Sequence, residues 1–279
     1  MARYVILCDI HGNMPALTAV VEDIRARAGY AGIFLLGDLI DYGMQSNEVV
    51  SYVRDELSEK IGAPVITSIW GNHERAVMTG DYSRLSSERT VASAQYTASI
   101  LTEETKEYIR EQMVQEGWSE YSLPAGGQDG DSAVDAGGTS TVETGLAGSG
   151  DSTGQSCLIL SVHGSIDDIY FGSILPEDVQ GNYSGYDLVL SGHTHFPHIF
   201  TRFYMCEDER LRGKRPVVFI NPGSVGQPRN RNPFAQYAVW DSDTGTAELR
   251  AVPYDVEKAM SMYHGQVDDF YRDRLARGV

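Results

Sequence analysis

Long apolar runs are missing from this sequence of 279 residues. None approaches the ~18 residues of a membrane-spanning helix, so no membrane partner is expected. The stretch from Met1 to Asp9 has too short an apolar run for a secretion signal and ends in a charge. Cysteine is scarce. Cys8, Cys157 and Cys206 are odd in number and lack metal-site spacing, which suits a reduced, cytoplasmic setting. Positive charge is scarce too: 22 Lys and Arg face 39 Asp and Glu, a net charge of −17. That balance argues against a nucleic-acid-binding surface. An anionic substrate would then need a locally positive site, which bound metal ions can provide. Aromatic residues disappear between Ala125 and Ser156, where Gly, Ser, Thr, Asp and Ala dominate. Such a composition cannot bury enough apolar surface to offset its ordering entropy. Residues 125–156 are therefore read as a flexible insertion between two strands of a hairpin.

The remainder has the 42% hydrophobic content of an ordinary globular enzyme and enough length for a substantial core. It is read as a single domain over 1–279. Several apolar runs end in the same way. Ile33-Phe34-Leu35-Leu36 stops at Gly37-Asp38, as a buried strand delivering a carboxylate to its C-terminal end. Tyr4 to Cys8 stops at Asp9-Ile10-His11, and Pro64 to Trp70 stops at Gly71-Asn72-His73-Glu74. Side chains one residue apart at a strand end point the same way, so Asp9 and His11 pair. Pro15 suits a first helical turn, and Leu17, Val20, Val21 and Ile24 follow at helical spacing. Ser46 suits a helix cap before Val49, Val50, Val53 and Leu57. Three strand–helix units in a row imply a parallel sheet whose strand ends share one edge. That edge is where α/β proteins place their ligands.

Residues 86–115 read as two helices broken near Leu101-Thr102, and Trp118–Leu123 as a strand. Cys157–Val162 ends in His163-Gly164, and Tyr186–Leu190 ends in Ser191-Gly192-His193-Thr194-His195. Pro216–Ile220 is a further buried strand, 236–240 and 246–252 pair as a hairpin, and one helix begins near Val256. Of seven histidines, five (His11, His73, His163, His193, His195) follow an expected strand, and all of them but His195 lie beside glycine or one residue from it. His198 is taken as structural and His264 as a surface residue. Core or surface histidines would not segregate in this manner. Carboxylate, amide and imidazole ligands without thiolate suit Mn²⁺, Fe or Zn²⁺ in a five- or six-coordinate centre. One carboxylate, Asp38, can bridge two such ions.

Asp9-x-His11, Gly37-Asp38-x-x-Asp41-x-Gly43, Gly71-Asn72-His73-Glu74, His163-Gly164 and Gly192-His193-Thr194-His195 resemble, in order, the five motifs of the calcineurin-like metallophosphoesterases. The resemblance covers residues 1 to about 253 apart from the insertion. Asn221-Pro222-Gly223-Ser224-Val225-Gly226 resembles the small prokaryotic phosphodiesterase branch. The resemblance implies an αββα sandwich of two sheets. It implies two metal ions, Mn and/or Fe with Zn as an alternative: one on Asp9, His11, Asp38 and His195, the other on Asp38, Asn72, His163 and His193. It further implies in-line attack on phosphorus by a hydroxide between them, with His73 serving the leaving oxygen and Asp41 holding a ligand histidine or the loop. Arg229 is left open between a phosphate contact and an ordinary surface arginine. Relatives that are protein phosphatases or cleave dinucleoside tetraphosphates carry arginine where this chain has Tyr42. Its absence favours small phosphodiesters or nucleotide derivatives, with the Tyr42 ring as a stacking surface. A phosphomonoesterase or dinucleoside polyphosphate hydrolase is the alternative, and a non-catalytic protein-binding scaffold the more distant one.

Overall fold

A computed structural model of the chain describes residues 2–123, 156–208 and 211–279. The insertion expected at 125–156 lies outside the described residues, Ser156 excepted. The strand–helix alternation is realised as β1 (Arg3–Leu7), α1 (Met14–Arg25), β2 (Gly32–Leu35), α2 (Ser46–Asp55), α3 (Leu57–Ile61) and β3 (Val65–Ser68). Three helices follow: α4 (Asn72–Thr79), α5 (Glu88–Ile100) and α6 (Glu103–Glu111). The next strands are β4 (Trp118–Leu123), β5 (Cys157–Val162), β6 (Leu188–Ser191), β7 (His198–Met205) and β8 (Lys214–Asn221). β9 (Ala235–Asp241) and β10 (Thr246–Val252) precede α7 (Val256–Met260) and α8 (Asp269–Leu275).

Two five-stranded sheets result, ordered β10-β9-β1-β2-β3 and β4-β5-β6-β8-β7. β1, β2 and β3 are mutually parallel in the first, as are β5, β6 and β8 in the second. Antiparallel strands flank each set. The sheets stack through alternate residues. Tyr4, Ile6, Phe34 and Leu36 meet Tyr121, Ile159, Leu188 and Ile220 in one buried cluster. Val5, Leu7, Ile33 and Leu35 turn the other way, onto Leu17, Val20 and Ile24 of α1 and Val49 and Val53 of α2. Burial on both faces is why these strands read as continuous apolar runs rather than alternating ones. Each such side chain contributes about 1.5–3 kcal/mol. The outer face of the second sheet is closed by Ile174, Val179 and Tyr183, which pack on Leu160, Val189 and Phe219. Those three come from the irregular stretch 164–187. This is the expected two-sheet α/β sandwich.

Local differences from expectation have simple causes. Ser46 does not cap α2; its Oγ accepts the Asp41 N–H at 3.1 Å and so stabilises the loop before the helix. The C-terminal helix is two, α7 and α8, with Gly265 at φ 83° between them. The break at Leu101-Thr102 is as read, with Thr102 capping α6. β7 was not expected.

Candidate metal centre

All six parallel strands end toward one place, and each candidate ligand lies within four residues of such an end. Period-two alternation does not aim them, because Asp9 and His11 lie beyond β1. A left-handed backbone does. Asp9 (φ 53°), His11 (48°), Asp38 (53°), Asp41 (73°), Tyr42 (60°), His193 (63°) and His195 (58°) all adopt it. L-residues in this region cost about 1–3 kcal/mol each, and such strain gathers at functional sites. Here it folds each loop tightly enough for paired ligands to face inward. Gly71 permits one further close approach: a Cβ there would stand 2.0 Å from Asp38 Oδ1.

The seven expected ligands form two clusters that share one atom. In the first, Asp9 Oδ1 lies 3.1 Å from His195 Nε2 and 3.7 Å from His11 Nε2. The two imidazole nitrogens are 3.2 Å apart. In the second, Asn72 Oδ1 lies 3.0 Å from His163 Nε2 and 2.9 Å from His193 Nδ1. Asp38 Oδ2 stands between them, 3.7 Å from His11 Nε2 and 3.4 Å from His163 Nε2. Backbone carbonyls fix three tautomers. Nδ1–H of His11 donates to Ile40 (3.1 Å), that of His163 to Leu36 (2.7 Å) and that of His195 to Gln227 (2.5 Å). Each Nε2 lone pair is thereby aimed at the cluster.

Buried atoms without partners test whether this set suits a cation. Both Asp9 oxygens are buried and accept no hydrogen bond within the chain. An ionised carboxylate in that position is costly unless a cation meets it. Asp9, His11 and His195 bring ligand atoms within 4.8 Å of one another, as do His11, Asp38 and His73. The residues fit a metal. Cys8, Asp9 and His163 also converge, but burial and the Asp9 charge push the Cys8 thiol well above its ordinary pKa. Its Sγ–H donates to the Leu36 carbonyl at 3.3 Å, so it stays a thiol.

Burial holds His11 and His195 well below the ordinary histidine value, leaving their lone pairs free. His193 is pushed down to about 3 by burial and the nearby His163 charge. It is also the one partly exposed ligand, so the centre opens to solvent beside it. For His163, burial is outweighed by Asp38, which raises the imidazole to about 9. Burial also opposes the Asp38 carboxylate, yet the surrounding histidines hold it well below the usual range.

Several supporting contacts go beyond the roles that the motifs implied. Glu74 accepts N–H bonds from Asp38 (2.8 Å), Leu39 (2.7 Å), Ile40 (3.3 Å) and Gly71 (2.8 Å), fixing the Asp38 loop against the start of α4. Burial and the Asp38 charge push its carboxyl up to about 7, while those N–H donors favour the carboxylate. Asp41 Oδ2 meets His73 Nδ1 at 2.6 Å, and its other oxygen accepts from Ser93 (2.6 Å) and Thr97 (2.9 Å) of α5. Asp41 therefore holds His73 rather than a ligand histidine, and it holds its own loop by accepting the Tyr42 N–H at 2.7 Å. His73 is raised: burial opposes its charge, but Asp38 and Asp41 win. Asn221 Nδ2 donates to the Gly192 carbonyl (2.9 Å) and Ser224 Oγ to that of Asp9 (2.7 Å), so the Asn-Pro-Gly-Ser stretch props two ligand loops.

Tyr42 departs from its expected stacking role. The ring is 5% exposed, stacks on Tyr271 at 4.5 Å, and meets His11 and His73 at 4.6 and 4.5 Å. No open face remains for a substrate ring. Arg229 is half-buried beside His195, whose carbonyl accepts its backbone N–H at 3.5 Å. His198 begins β7 and His264 is exposed.

Two stacked sheets whose parallel strands deliver a carboxylate- and histidine-lined centre define a metallophosphoesterase-type hydrolase. Residues 2–197 match the calcineurin-like phosphoesterase family, and the chain belongs to it. An uncharacterised protein of Methanocaldococcus jannaschii is 26% identical over 284 residues, spanning 98% of this chain and 97% of that one. A metallophosphoesterase from Sphaerobacter thermophilus is 25% identical with a TM-score of 0.62, covering 100% of this chain and 99% of the other. A hypothetical protein from Pyrococcus horikoshii shares the fold at 20% identity and a TM-score of 0.68, with the same coverage. No helix among the described residues is long and apolar enough to cross a membrane.

Proposed function

We propose that the protein hydrolyses small phosphodiesters or nucleotide derivatives with two metal ions. Asp9, His11, Asp38 and His195 would hold one ion; Asp38, Asn72, His163 and His193 would hold the other. The observation that carries this reading is Asp38 Oδ2, which faces His11 on one side and His163 on the other. The ions supply Lewis acidity toward phosphate oxygens and a lowered pKa for bound water. The chain supplies the rest. Glu74 and Gly71 keep Asp38 in place, and three backbone carbonyls keep the imidazoles in register. His73, raised and oriented by Asp41, delivers a proton to the departing oxygen. Burial of all ligands but His193 limits water to that opening.

Tyr42, standing where phosphatase relatives carry a guanidinium, favours the singly charged diester over a dianionic monoester. The test is the ratio of kcat/KM for a nitrophenyl diester to that for its monoester in identical Mn²⁺. A ratio above one is expected. A ratio well below one would remove the diester preference and leave a phosphomonoesterase.

A further inference from the structure

One large aromatic at the mouth of the centre takes no part in the core. Phe171 lies in the irregular stretch 164–187, where Ile166, Ile169 and Tyr170 each pack against an apolar cluster. Among the described residues, Phe171 packs against none of these clusters, and it stays half-buried. Its contacts are of another kind. The ring meets that of His193 in a T-shape, 6.1 Å between centres and 80° between planes. His193 is the one metal-ligand candidate open to solvent. The Arg84 guanidinium lies over the Phe171 ring, 4.2 Å from its centre.

The chain holds this ring in place from two sides. The segment that follows ligand His163 closes at once into a compact turn. Gly164 N–H donates to the Ile169 carbonyl (2.6 Å), and the N–H groups of Ser165 and Gly172 donate to that of Asp168 (3.1 and 2.9 Å). A Cβ at Gly172 would stand 2.1 Å from Ser165 Oγ, so the turn admits no bulk beside Phe171. From outside, Arg84 grips both carboxylate oxygens of Asp168, at 2.9 and 2.5 Å. That fork ties the turn to the loop after α4, the helix that starts at ligand Asn72. Leaving a phenyl ring half in water forgoes part of its burial free energy, unless another flat apolar group covers it. A ring already fixed loses little freedom when that group arrives.

We propose that Phe171 is a specificity-determining residue, on which the nucleobase or aryl group of the substrate stacks while its phosphate sits at the Asp38-centred clusters. It takes the role that the enclosed Tyr42 ring cannot fill. This rests on the phosphoesterase reading of the centre and narrows its substrates to esters with a flat ring near the phosphate.

The experiment is a calorimetric titration of the Mn²⁺-loaded protein with adenosine 5′-monophosphate and, separately, ribose 5-phosphate, which differ only in the base. The nucleotide is expected to bind at least about tenfold more tightly, the usual worth of one base stacked on an aromatic ring. Phe171→Ala should narrow that preference to about threefold or less by weakening the nucleotide alone, and Phe171→Trp should keep it. Thermal melting and Mn²⁺ content check both variants, which should match wild type because the ring belongs to no apolar cluster. Equal binding of the two ligands by the wild type, or an unchanged preference in Phe171→Ala, overturns the proposal. So does an equal weakening of both ligands, which is what a merely structural ring would give. The titration reads binding and not turnover. A base preference that Phe171→Ala abolishes, in a protein inactive on diesters, would keep the stacking site and remove the diesterase reading.

Discussion

At His73, holding a metal and moving a proton come apart. Its Nδ1 is engaged by Asp41, and its backbone N–H donates to Asp38 Oδ1 at 2.9 Å. It therefore supports the shared carboxylate while keeping Nε2 for other work. His73→Ala should retain both metals yet slow turnover by about 10²–10⁴, the range of a lost acid–base group. Metal analysis alongside kcat checks this; loss of a metal would make His73 a ligand. Asp38→Asn behaves differently, because the amide removes the charge that both clusters share. Turnover should vanish while the melting transition persists, and activity within tenfold of wild type would sink the two-metal reading.

Asp23 joins three elements. It lies on α1 and accepts from the Tyr237 hydroxyl of β9 (2.6 Å) and Arg250 Nε of β10 (2.9 Å). Burial opposes its charge, but these bonds and Arg27 hold its pKa at about 2 against an ordinary 3.8. A depressed carboxyl stabilises the fold above its unfolded pKa, and that contribution is lost as pH falls through the folded one. Asp23→Asn should thus cost about 1 kcal/mol at neutral pH, discounted for partial exposure. The gap to wild type should close between pH 3.8 and about 2. Urea titrations across that window measure it, and a gap that does not change with pH would mean the charge contributes nothing. Elements like these differ in how far the sequence discloses them. β1, β2, β5, β6 and β8 were legible because burial on both faces leaves uninterrupted apolar runs, followed in all but β8 by a ligand. β7 was not. Its Ile199, Phe203 and Met205 are exposed at the sheet edge on either side of Thr201 and Arg202, so no buried run marks it. The ligands were legible because each carries its own short motif. The roles of Glu74, Ser93 and Thr97 were not, because their partners in the Asp38–Asp41 loop lie tens of residues away and only the folded chain brings them together.

For the molecule as a whole, the centre places Asp9 and Asp38 in a dry interior of an already acidic protein. Burial raises the Asp9 carboxyl, with Asp38 adding to it against the pull of His163. Cations that bind only the folded chain should therefore stabilise it through mass action. Removing metal with a chelator should lower the melting temperature by on the order of 5–10 °C, and Mn²⁺ should restore it. An unchanged melting curve would show that the ions add nothing to folding. The left-handed turns at Asp9, His11, Asp38, Asp41, Tyr42, His193 and His195 bear on how such a molecule can change over generations. Each position would be more relaxed as glycine or asparagine, so discarding the five ligands among them releases strain that the chemistry imposes. Giving up the ligands relieves backbone strain in this architecture and also forfeits the stability that bound cations add, so the two changes offset each other. A lineage that gave up the reaction would inherit the same two-sheet body with its turns relaxed, free to serve as a platform for binding other proteins.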